Sequence, residues 1–180
     1  MDTFYTLDRC LSLKTGMQLT LAAPQCPVIP LQSHATMMLP DGISRHAENY
    51  FLTLSVNLVN SDERYSAIIE MMLEDRRRSC FPEKPSRFQS IFACESVKDV
   101  TWFRGYSRAP IATPIFEIHS TTNCHRGDMN LLNMNCPPLE LSRRLDLYWR
   151  GETDVLWDNY TPFWEVLISL PATVGNVVQE

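Results

Sequence analysis

The groups in this chain best equipped for chemistry are a few carboxylates and arginines rather than any metal-ligand pattern. Glu165 lies in the run Trp164-Glu165-Val166-Leu167-Ile168. Strand alternation turns its side chain away from those of Trp164 and Val166 and onto the face of Leu167 and Ser169. A glutamate there is either a catalytic carboxylate or an edge-strand residue facing water. Glu117 is the rival carboxylate, on one face with Ile115 and His119. Arg87 follows Pro85-Ser86, and Arg9 follows Asp8. A guanidinium fork suits an anionic ligand. The plainer alternative is pairing with a nearby acid, which at the surface is worth little.

Histidines and cysteines offer less. His34, His46, His119 and His125 are scattered, and His119 and His125 flank Cys124. That grouping invites a metal or a Cys-His nucleophile, but neighbours on one loop seldom reach nucleophile-base geometry. They read as polar loop residues, and no metal site is expected. The six cysteines form no CxxC and no zinc spacing, so they are expected to be free, mostly structural thiols. There is no GxGxxG and no Walker sequence to cradle a phosphate.

The elements that must position these groups can be read in part. Residues 3–7 and 17–21 read as strands, and Pro24, Pro27 and Pro30 imply an extended loop. Residues 31–43 are ambiguous, with a turn at Pro40-Asp41-Gly42. Residues 44–58 read as a helix. A second helix, capped by Ser61 or Asp62, carries the stripe Tyr65, Ile68, Ile69, Met72, Leu73. It ends in Arg76-Arg77-Arg78, read as a solvated basic end that suits the helix dipole. Ser90–Cys94 reads as a buried strand. The pair Ser96 and Asp99 opens a helix that Gly105 is expected to stop. Residues 114–119 read as a strand and 139–150 as a helix with Leu141, Leu145, Tyr148 and Trp149 on one face. Strands at 164–169 and 173–178 close the chain. Strands and helices do not alternate regularly, which predicts an α+β fold with a mixed or antiparallel sheet flanked by helices.

The chain has 180 residues, 44% hydrophobic and 21% charged, with a net charge of −5. That fits one domain spanning 1–180 and disfavours a broad nucleic-acid surface. No apolar run is long enough to span a bilayer, so no membrane partner is expected. No leader pattern is visible at the start, so a reducing, cytoplasmic setting is expected.

Three segments, taken together, carry a resemblance. They are Phe4-Tyr5-Thr6-Leu7-Asp8-Arg9 with Leu11–Leu19, Cys80-Phe81-Pro82-Glu83-Lys84-Pro85-Ser86-Arg87-Phe88 running on to Ala93, and Tyr148-Trp149-Arg150-Gly151 with Trp164–Ile168. Their order and spacing resemble a family of small bacterial and phage-associated proteins of ADP-ribosyltransferase-like character. The stretch Ser-Ile-Phe-Ala-Cys-Glu-Ser before a helix also resembles the strand-to-helix step beneath NAD in the diphtheria-toxin-like branch.

The resemblance implies a split sheet, NAD as substrate, and transfer of ADP-ribose to a macromolecular acceptor, a protein before a nucleic acid. It implies a toxin, effector or phage–host conflict setting, in the producing or a target cell. By the same resemblance Glu165 is the catalytic residue, and Arg9, Tyr5, Thr6, Arg87, Ser90, Phe92 and Trp149 are the residues that hold NAD. The chemistry is coherent: breaking the nicotinamide–ribose bond builds positive charge on the ribose, and a facing carboxylate lowers that barrier. Thr6 stands where that branch carries a histidine, with Arg9 as the compensating cation. The alternative is a transferase-like scaffold that no longer catalyses and binds a partner protein. A third reading is a phosphotransferase acting on RNA 2′-phosphate, which the acidic composition disfavours.

Overall fold

In the computed structural model of the protein, which describes residues 2–26, 28–48, 52 and 67–178, two antiparallel sheets meet at the strand that opens the chain. The first sheet contains β1 (Asp2–Leu7), β4 (Ile115–Ser120), β7 (Ala172–Val177) and the short β2 (Gln18–Leu19), in the order β1-β4-β7-β2. The second contains β3 (Ser90–Ala93), β6 (Trp164–Ser169) and β5 (Cys124–Asp128), in the order β3-β6-β5. An isolated antiparallel bridge between Tyr5 and Cys94 joins the two, with Tyr5 N–H donating to Cys94 O at 2.9 Å and Cys94 N–H to Tyr5 O at 2.7 Å. The α+β class with antiparallel sheets is therefore as expected.

The strands bury apolar residues at period two, and the sheets pack through them. Phe116 and Ile118 on β4, Val166 and Ile168 on β6, Ala93 on β3, and Ala172 and Val174 on β7 form one buried cluster. On its other face β6 sends Leu167 into a second cluster with Ile69 and Leu73 of α3 (Ala67–Cys80) and Leu141, Leu145, Tyr148 and Trp149 of α5 (Pro138–Arg150). The predicted stripe on α5 is the buried one, and Gly151, in the left-handed conformation at φ 71°, caps it. A third cluster brings Val100, from α4 (Val97–Tyr106), onto Leu7, Ile115 and Phe163.

Several expectations change. Pro30 does not extend a loop but sits in the first turn of α1 (Ile29–Met38), where a missing N–H costs nothing. The predicted helix over 44–58 begins as α2 (Arg45–Ala47), capped by Ser44; most of its remainder, the Ser61/Asp62 cap and Tyr65 lie outside the described residues. Gly105 does not stop α4, which runs to Tyr106 and is capped at Ser107. The arginine run is not simply solvated. Arg77 and Arg78 turn back onto buried Glu74 at 2.8 Å each, and Arg76 pairs with Asp146 at 2.6 Å. Strand β5 was not expected, because its inward positions are His125 and Gly127 rather than large apolar residues.

Gly127 is required by packing. A Cβ there would lie 2.6 Å from Cζ and 2.7 Å from Cδ2 of Tyr148, whose ring is fully buried. Gly127→Ala is expected to destabilise the fold by roughly 1–3 kcal/mol, since a buried aromatic ring has nowhere to retreat. Urea denaturation would show this as a lower midpoint at unchanged slope.

All six cysteines are free, but Cys10, Cys80 and Cys124 are exposed, so half of them are not core thiols. Among the described residues no helix is long and apolar enough to cross a membrane.

Candidate functional site

A cavity of about 1090 Å³ opens along the line where the two sheets meet. Tyr5, Thr6 and Arg9 line it from β1 and the turn after it, Ser90 and Phe92 from β3, and Arg87 from the 3-10 turn just before β3. Glu165 lines it from β6. Residues from both ends of the sequence and its middle thus share one cleft, and every sequence-derived site residue but one is among them. The exception is Trp149. It is fully buried in the α3–α5 core, donates its indole N–H to Leu73 O at 3.0 Å, and does not line the cavity. Its place on the apolar stripe of α5 decides this.

At one part of the cavity the charged groups are locked together. Arg87 is 3% exposed. It grips Glu70 with two bonds, Nε to Oε2 at 2.5 Å and Nη2 to Oε1 at 2.7 Å. Its Nη1 donates to Glu165 Oε1 and also contacts the Tyr148 hydroxyl. Tyr148 in turn donates its hydroxyl to Glu165 Oε1 at 2.8 Å. Both of these bonds to Glu165 fall on Oε1. The edge-strand reading of Glu165 is corrected here: β6 is the middle strand of its sheet, α3 and α5 cover its Glu165 face, and Glu165 is 5% exposed.

One guanidinium thus serves two buried carboxylates. Burial works against the charge on Glu70, but Arg87 outweighs it and holds that carboxyl below its ordinary range. At Glu165 burial prevails over Arg87, and the carboxyl is pushed up. The site is short of one positive charge, and a proton or a cationic ligand would supply it.

Aromatic rings and a histidine complete the surroundings. The Arg87 guanidinium lies 4.6 Å from the centre of the Phe92 ring, and the His46 ring of α2 lies 4.1 Å from it, tilted by 43°. Burial pushes His46 down to about 4, so it is neutral near pH 7. Thr6 donates its hydroxyl to Phe92 O at 2.7 Å and stitches β1 to β3. Ser90 donates to Ser86 O at 2.7 Å, a structural bond that leaves it on the cavity wall. Arg9 does not pair with Asp8, whose Oδ2 instead accepts the Ser12 and Leu13 N–H groups at 2.7 and 2.8 Å. The Arg9 guanidinium rests 5.5 Å over Phe103.

Glu70, Tyr148 and His46 were missed as site residues. For Glu70 a signal existed: Glu70 and Glu74 are one turn apart, beside the apolar stripe of α3, and both are buried. For His46 there was none. The rival Glu117 lies elsewhere, 3.5 Å from His119 on β4. His119 and His125 lie on different sheets, so they do not converge on Cys124.

His125 braces the site from below. Its Nε2 meets Tyr148 O at 2.8 Å, and its ring packs on Tyr148 and Trp149. Burial lowers it to about 4 from 6.5. Between those values the unfolded chain binds more protons, so stability rises with pH and is lost as pH falls from 6.5 toward 4. The contribution is on the order of 3 kcal/mol. His125→Gln is expected to reduce the slope of that part of the stability–pH curve, with His46, lowered in the same way, supplying the rest, as measured by urea denaturation at pH 4.5 and 7.

The DUF2441 family model, described as a protein of unknown function, matches residues 31–180, and the chain belongs to that family. The sequence has no match among curated proteins.

Proposed function

We propose that this DUF2441 protein binds NAD in the cleft between its sheets and transfers ADP-ribose to a macromolecular acceptor, a protein before a nucleic acid. The observation that carries this reading is the convergence of Glu165, Arg87 and Arg9 on one cavity. Glu165 is the carboxylate that faces the ribose as the nicotinamide leaves. Its shortage of a positive partner suits the charge that develops there: a cation forming beside a buried, undercompensated carboxylate is stabilised more in the transition state than before it. Arg87 orients Glu165 and Tyr148 buttresses it. Arg9 supplies a cation for the pyrophosphate. Phe92 offers a ring face to the nicotinamide.

The test is incubation with labelled NAD and cell lysate, beside Glu165→Ala and Arg9→Ala variants. Label transfer by the wild type, lost in both variants, supports the transferase.

One observation favours a second reading, a scaffold that binds a partner without catalysis. Thr6 stands at the position of the expected histidine and spends its hydroxyl on Phe92 O. In that case the wild type transfers no label, and NAD leaves its melting temperature unmoved. The setting, as a toxin, effector or phage–host conflict protein acting in the cytoplasm, follows from the resemblance in the three segments.

A further inference from the structure

Arg87 does not divide evenly between the two buried carboxylates of the cleft. Its two-bonded edge, Nε with Nη2, belongs to Glu70 of α3, at 2.5 and 2.7 Å. Glu165 is reached through Nη1, which also contacts the Tyr148 hydroxyl. A paired fork is the stronger arrangement, so the cation is committed mainly to Glu70. Glu70 lines the cavity, and none of the roles above uses it.

That commitment decides the charge state of Glu165. Glu70, Arg87 and Glu165 are all buried, so water screens none of them well. Two carboxylates face one guanidinium, and ionising both leaves one negative charge over. The other titratable neighbours are neutral near pH 7. Burial pushes the Tyr148 hydroxyl and the Cys94 thiol up, and the His46 and His125 rings down to about 4. Asp8, Arg9 and Arg45 also line the cavity. Asp8 is buried with its Oδ2 on two backbone N–H groups, and the two arginines are exposed, where solvent screens them. Burial and the Glu70 charge together push the Glu165 carboxyl up, against the pull of Arg87. A proton on Oε2 meets that demand and leaves both bonds at Oε1 in place.

We infer that Glu70 is a specificity-determining residue: by holding the fork of Arg87 it makes the Glu165 site exchange a proton for a singly charged cation, and so select the oxidised dinucleotide, whose nicotinamide ring is positive, over the reduced one, whose ring is neutral. The proton leaves Oε2 for solvent as the cation binds, and Glu165 becomes the carboxylate that faces the ribose. The inference rests on the NAD reading and adds a control of that site by pH. The free carboxyl is raised and the bound cation lowers it, so affinity for NAD rises with pH between the two values.

The test is calorimetric titration with NAD and with NADH from pH 5.5 to 8, in buffers of different ionisation heat and with no acceptor present. NAD is expected to release about one proton and to bind about 10-fold more tightly per pH unit below the raised value. NADH is expected to release none and to keep its affinity across the range. Glu70→Gln matches one carboxylate to one guanidinium, so Glu165 is ionised before the ligand arrives. That variant is expected to bind NAD with no proton release and no dependence on pH, and its retained NAD binding shows an intact cleft. NAD binding to the wild type without proton release, equal release with NADH, or release that persists in Glu70→Gln overturns the role of Glu70 and leaves the NAD reading standing. If neither dinucleotide binds the wild type, both fall.

Discussion

Replacing Arg87 with methionine is expected to lower the unfolding midpoint by roughly 6–20 °C, the largest stability effect of any substitution in the cleft. The reason is the arithmetic of the cluster. Arg87 holds Glu70 through two bonds and also reaches Glu165 and Tyr148, all of them buried. Methionine fills much of the volume but leaves two carboxylates in a dry site with no cation. Removing one partner of a buried ion pair costs about 3–5 kcal/mol for that reason. The sign of the pH dependence separates this from a simple packing loss. In the wild type Arg87 depresses Glu70, so its contribution is present at neutral pH and lost as pH falls through the depressed value. In the variant, burial is left as the dominant influence on Glu70 and raises it, so the folded state takes up protons and is relieved by acid. The gap between variant and wild type should therefore be widest near pH 7 and narrow toward pH 5. A gap that stays constant with pH would mean that the guanidinium serves packing rather than charge.

Replacing Glu165 with glutamine is expected to lower label transfer from NAD by roughly 10²–10³-fold while moving the melting temperature by only a few degrees. Glutamine keeps the shape and can still accept from Arg87 and the Tyr148 hydroxyl, and Arg87 retains both bonds to Glu70. What it loses is the negative charge facing the ribose, and losing one preorganised electrostatic partner of a transition state costs about that factor. The loss should fall on kcat and also on KM, since the ribose charge exists only as the bond breaks but a cationic ligand already meets the undercompensated Glu165 when it binds. Equal loss of activity and of folded protein would assign Glu165 a structural role instead.

Much of the fold was legible because its signals are local. The strand at Asp2–Leu7, the β6 and β7 strands, the Ser96 cap and the Gly151 stop depend on alternation or turn chemistry within a few residues. β5 was hidden because a glycine and a histidine fill its inward positions, the glycine making room for the Tyr148 ring. The cleft itself was legible only in part. Tyr5, Thr6, Arg9, Arg87, Ser90, Phe92 and Glu165 were named from the three segments, and they line one cavity. Sequence could not say whether Glu165 faces water, because that depends on β3 and β5 flanking β6 and on two helices covering it. Glu70 escaped notice for a related reason. Even with Glu74 one turn away, a carboxylate beside the stripe of an amphipathic helix looks solvated until an arginine seventeen positions later folds onto it. Trp149 was misassigned because a tryptophan's chemistry is the same in a core and in a stacking site. The apolar stripe of α5 is what settles the matter.

The most direct measurement is a crystal structure of the protein soaked with NAD. The account predicts the nicotinamide riboside in the cleft with its anomeric carbon facing the Glu165 carboxylate, and the pyrophosphate within reach of Arg9. NAD bound on another surface, or a cleft that stays empty at saturating NAD, would contradict it.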